Sequence, residues 1–149
     1  MSLSAKVMVA LKEAMKSKDQ TALTALRAVK SAILLAQTES GAKEDLTEEQ
    51  ELKLLQKQVK QRKDSAAVYI EQGREDLAEP ELEEAKVIEQ FLPEALSEEE
   101  IAQIVEDIIT KTGAEGMKDM GKVMGMASKE LAGRADGKTI STIVKAKLA

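Results

Sequence analysis

Two four-residue stretches, Thr47-Glu48-Glu49-Gln50 and Ser97-Glu98-Glu99-Glu100, constrain this chain more than any other feature. In each, a hydroxyl can accept from the backbone N–H three residues on. The Gln or Glu at that position can reach back to the hydroxyl residue's own N–H. Each stretch therefore marks a helix start, and apolar residues follow at helical spacing. After Ser97 come Ile101, Ile104, Val105, Ile108 and Ile109, the cleanest amphipathic pattern in the chain, closed by Gly113. After Thr47, the residues Leu52, Leu55, Val59, Ala66, Tyr69 and Ile70 form one line to about Gln72, with Gly73 as terminator. At 1.5 Å per residue that helix runs roughly 38 Å.

The rest of the chain carries the same period. Val7, Met8, Leu11, Ala14 and Met15 predict a helix from about Ser4, broken at Ser17-Lys18-Asp19. Asp19 is the expected cap of a second helix carrying Leu23, Leu26, Val29, Ile33 and Leu34 to about Thr38, ended by Ser40-Gly41 before a polar loop. A fourth helix is expected between Asp76 and Leu92, with Val87, Ile88 and Phe91 inward and Pro80 near its first turn, because proline deeper inside costs about 3 kcal/mol. Pro93 disfavours helical geometry at Leu92 and is the expected boundary. The expectation is an all-α fold: a four-helix part over 1–92 and a three-helix part over 97–149. No stretch shows strand alternation.

Composition supports helices and narrows the chemistry. Aromatic residues amount to 1%, Tyr69 and Phe91, and 33% of residues are charged. No run of 18 apolar residues suggests a membrane span, and no secretory leader is seen. Cysteine and histidine are both absent, which removes the thiolate nucleophile, the commonest metal ligand and the commonest general base. A cytoplasmic protein is the default expectation, with no cofactor and no metal site. The net charge of -5 is segregated. Residues 1–37 hold six bases and two acids, 71–100 hold two bases and twelve acids, and 118–149 hold seven bases and three acids.

The last of these segments begins with the stretch 119–138. Asp119 can cap a helix carrying Met120, Val123, Met124, Ala127 and Leu131, followed by Gly133 for a left-handed turn. Asp136 can cap a final helix with Ile140, Ile143, Val144 and Leu148 inward. DMGKVM (119–124), GRADGK (133–138) and VKAKL (144–148) together resemble the YqeY-like family. The segments QRKDSAAVYIEQGREDLAEPE (61–81) and IEQFLPEALSEEEI (88–101) agree. That family is similar to the C-terminal tail of GatB, a component of the aspartyl/glutamyl-tRNA amidotransferase. The resemblance implies a three-helix tail that contacts tRNA or a tRNA-processing partner. It also implies, by similarity, a place among carbon–nitrogen ligases that use glutamine as amido donor. The residues themselves show no nucleophile, no glutaminase set and no nucleotide loop.

The candidate contact surface is a basic corner of Lys118, Lys122, Arg134, Lys138, Lys145 and Lys147, where a phosphate would also meet N–H groups at the start of the last helix. The competing reading is a solvated surface whose lysines complement helix C-termini. Lys53 to Lys63 form a second basic run, but without interleaved aromatics it reads as a solvated helix face. Arg27, Arg62, Asp64 and Arg74 occupy family motif positions and read as ion-pair or cap residues. The acidic side chains of 71–100 scatter round a helix, and the methionines from Met117 to Met126 read as core filler. Three readings remain: a non-catalytic accessory module touching tRNA or a tRNA-processing protein, a component of carbon–nitrogen ligase activity, and a protein-interaction module that binds another protein or a second copy. Oligomeric state is not legible.

Overall fold

The computed structural model describes residues 2–39 and 45–149. Among these residues lie seven α-helices, one 3-10 turn and no strand. The chain is all-α, with four helices in the unit Met1–Leu92 and three in the unit Pro93–Ala149.

In the first unit, α1 (Leu3–Ser17) and α2 (Gln20–Glu39) pack as a pair, α2 also packs on α4 (Glu75–Glu89), and α3 (Glu48–Glu71) packs chiefly on α4. Caps set the boundaries. Ser2 accepts from Ala5 N–H, and Asp19 accepts from Ala22 N–H at 3.1 Å, as its position predicts. The Thr47 capping box forms in both directions, at 3.2 and 2.9 Å. The expected terminator Ser40-Gly41 lies outside the described residues.

The break after α1 turns on Lys18, which is left-handed at φ 58° although it carries a side chain. Asp19 N–H donates back to Ala14 C=O and Lys18 N–H to Met15 C=O, closing the helix end. Glycine serves the same purpose after α3. Gly73 stands at φ 74°, and Arg74 N–H reaches Tyr69 C=O at 2.7 Å.

Val7 and Leu11 from α1 meet Leu26, Val29 and Ile33 from α2, Leu55 from α3 and Ile88 from α4 in one aliphatic core. Ala66 and Ala78 are also buried, small side chains that let α3 and α4 approach closely. Leu3 N–H donates to the Glu51 carboxylate at 3.1 Å, and Lys63 pairs with Glu89 at 2.8 Å, so polar contacts also tie α1 to α3 and α3 to α4.

Four inward assignments are corrected. Met8, Met15, Leu34 and Ile70 are exposed. Met8, Met15 and Leu34 each follow a buried residue (Val7, Ala14, Ile33) and so sit about 100° round the helix from the core. Ile70 lies in the last turn of α3, beside the turn to α4. The fourth helix also differs from expectation. It starts one residue earlier, at Glu75, and Pro80 lies in its second turn and not its first, where Asp76 C=O lacks its usual donor. It ends at Glu89, not Leu92. Phe91 N–H and Leu92 N–H then bond three residues back, tightening the chain before Pro93.

Three substitutions check these assignments by chemical unfolding. Ile88→Ala, at a fully buried site, lowers stability by about 2–5 kcal/mol, whereas Leu34→Ala stays within about 0.5 kcal/mol. Lys18→Gly removes the strain of a left-handed side-chain residue and raises stability by up to about 1 kcal/mol. Equal losses at positions 88 and 34, or a loss at 18, contradict this reading.

Candidate nucleic-acid interface

The second unit is built from α5 (Glu98–Thr112), α6 (Met120–Glu130) and α7 (Gly137–Leu148), with the 3-10 turn Met117–Asp119 ahead of α6. The Ser97 capping box forms as expected, and Gly113 ends α5 at φ 69°. Val105, Val123, Ala127, Leu131 and Val144 are fully buried where the three helices meet. Asp119 does not cap α6. Its carboxylate turns back to accept from Glu115 N–H at 3.0 Å and holds the connecting loop. Gly133 takes the left-handed geometry expected of it, at φ 78°, and Leu96 N–H donates to Arg134 C=O at 3.0 Å.

This frame sets where each basic residue stands. Asp136 accepts from Thr139 N–H at 2.6 Å and fixes Gly137 as the first residue of α7. Arg134 therefore precedes the helix, Lys138 lies in its first turn, and Lys145 and Lys147 lie in its last. Lys138 and Lys145 are seven residues apart, which puts them on one face about 10 Å from each other along the axis. Lys147 points half a turn away from Lys138 and pairs with Glu106 of α5. Lys118 lies 3.8 Å from Glu115, a highly exposed pair of little energetic weight. Lys122, Arg134, Lys138 and Lys145 are exposed and form no ion pair among the described residues.

The six residues are not equivalent: Lys138 and Lys145 share a face of α7, Arg134 lies just ahead of that helix, and Lys147 is engaged by Glu106 of α5. The helix N-terminus is also less inviting to an anion than its position suggests, because the Asp136 carboxylate already occupies it. One residue passed over in the sequence belongs with the candidates. Lys129 follows Lys122 by seven residues and is exposed on the same face of α6. That spacing was the available signal.

The motif residues of the first unit act locally. Arg74 and Asp76 form a two-bond fork at 3.1 and 3.0 Å, which holds the Asp76 carboxyl below its usual range. Asp64 pairs with Lys60 in the same helix. Arg62 donates to Gln58 C=O and to its side-chain oxygen, while its buried Nε has no partner. Arg27 is exposed and has no ion pair among the described residues. Gln20, Thr21, Thr24, Pro80 and Glu84 line an open pocket of about 220 Å³. Burial raises the Glu84 carboxyl, against the opposing pull of the Arg62 charge. Among the described residues, no three acidic side chains converge as a metal site would require, and no helix is long and apolar enough to cross a membrane.

The family model described as Yqey-like protein matches residues 4–148. The E-type component of the glutamyl-tRNA(Gln) amidotransferase of Thermococcus gammatolerans is 41% identical over 73 residues, 46% of this chain and 12% of that protein. The component of the same name from Methanobrevibacter smithii is 50% identical over 54 residues, 34% of this chain and 9% of that one. Less than half of this chain therefore matches a small segment of each of those two proteins. A Kluyveromyces lactis protein named altered inheritance of mitochondria protein 41, mitochondrial, is 34% identical over 139 residues, 91% of this chain and 70% of that protein.

A raised carboxyl penalises the ionised form in the fold. The penalty is present above the folded-state pKa and vanishes below the unfolded value, about 4.3 for Glu. Glu84→Gln should accordingly match or exceed the parent stability at pH 7 and lose that advantage as pH falls below about 4. Denaturant melts at several pH values check the sign.

Proposed function

The chain belongs to the Yqey-like protein family, and from that premise we propose that it is a non-catalytic accessory module that contacts tRNA, with a carbon–nitrogen ligase or another tRNA-processing protein as its setting. The observation that carries the reading is the segment shared with the E-type components of two glutamyl-tRNA(Gln) amidotransferases, together with the unpaired cations of the second unit. Both support a docking role, because neither brings a nucleophile or a nucleotide loop with it.

The contact proposed here is narrower than a single corner. Lys138 and Lys145 present charge along one side of α7, with Arg134 just ahead of that helix, and Lys122 and Lys129 do so on α6. Exposed lysines without carboxylate partners can neutralise phosphates and release counterions. Lys147 is left out, since Glu106 already neutralises it. Stacking on bases has no part in the proposal, because the unit contains no aromatic residue. Cytoplasmic placement belongs to the same proposal. Fungal relatives carry the word mitochondrial in their names, so the compartment differs across relatives.

Binding to deacylated tRNA over a salt series tests this. The expected log–log slope is negative, about -0.7 to -0.9 per phosphate engaged. Arg134→Glu with Lys138→Glu should weaken binding by at least about tenfold, while Lys147→Ala leaves it nearly unchanged. Absence of binding at low salt, or equal effects of the two changes, overturns the proposal. Amide formation on misacylated tRNA by the protein alone, with glutamine and ATP, would overturn its non-catalytic half.

A further inference from the structure

The first unit carries two ladders of like charge with opposite signs. On α1, Lys12 and Lys16 stand one turn apart, with exposed Met8 and Met15 beside them. On α4, Glu75, Glu79 and Glu83 stand at successive turns, with exposed Leu82 beside them and Lys86 beyond the last. All five ladder residues are exposed, and none forms an ion pair among the described residues. Glu75 in the first turn of α4 and Lys16 in the last turn of α1 complement their own helix dipoles, but Lys12, Glu79 and Glu83 lie outside those turns, where like charges one turn apart disfavour the helix that carries them. The ladders cannot neutralise each other through the main packing of the unit either, because α2 packs against both α1 and α4.

We propose that this chain self-associates, with the Lys12–Lys16 face of α1 docking on the Glu75–Glu79–Glu83 face of α4 from a second copy. The rungs on both helices repeat every turn, about 5.4 to 6 Å, so cation and carboxylate can interleave. A two-fold arrangement uses both faces of each copy and closes without leaving a free ladder. The aliphatic side chains decide between occupants. Met8, Met15 and Leu82, beside the two ladders, gain from meeting apolar surface. A nucleic-acid backbone offers the lysines phosphate but offers these side chains nothing, and it would be repelled by the α4 face.

Sedimentation of the full chain at about 0.01 M and about 1 M salt provides the test, since screening shortens from about 30 Å to about 3 Å over that range. Dimer at low salt that dissociates at high salt is expected. Lys12→Glu with Lys16→Glu, and separately Glu79→Lys with Glu83→Lys, should each weaken self-association by at least about tenfold. Mixing those two double variants should restore a 1:1 dimer, because each then offers the ladder the other lacks. Circular dichroism confirms that all variants remain helical. A monomer at every salt concentration overturns the proposal. So does a dimer indifferent to the reversals, or binding of the α1 face to tRNA or to anionic vesicles in place of a second copy.

Discussion

Helix ends are the constraint on which this structure depends. A chain with two aromatic residues buries mainly aliphatic side chains, and such side chains give little directional information. Registering them demands that each helix start and stop at a defined residue. Ser2, Asp19, Thr47, Ser97 and Asp136 each accept a backbone N–H at a helix start. Lys18, Gly73 and Gly113 turn the chain through left-handed geometry at a helix end. A one-residue slip at any of these would rotate the helix by about 100° and move its apolar stripe out of the core.

This dependence explains what could be read in the residues. Both capping boxes, the Asp136 cap and the Gly73, Gly113 and Gly133 turns rest on local chemistry, and the structure contains them where local chemistry puts them. The misreadings come from information that is not local. Met8, Met15 and Leu34 are apolar and helically spaced, but only the neighbouring helices decide which edge of a broad stripe is covered. Asp119 sits at a helix boundary, yet its carboxylate found a donor in Glu115 instead. Pro80 lies in the second turn of α4, and the start of that helix is set by the Gly73 turn and the Arg74–Asp76 fork.

The candidate contact surface was legible as composition but not as geometry. Counting bases in 118–149 finds a positive segment, and the residues do lie on helix surfaces. Counting cannot show that Lys147 faces Glu106 across to α5, or that Lys122 and Lys129 share a face of α6. Among the described residues, cations therefore fall into two sets: those with a carboxylate within ion-pair distance, and those without one. The second set carries the electrostatic information that a partner could use.

The hydrogen bond from Leu96 N–H to Arg134 C=O has a mechanical consequence. It fastens the lead-in to α5 onto the backbone of an exposed arginine, 38 residues away in sequence. The Leu96 amide is protected only while that bond holds, so its rate of hydrogen–deuterium exchange reads out how often the lead-in comes away from the turn before α7.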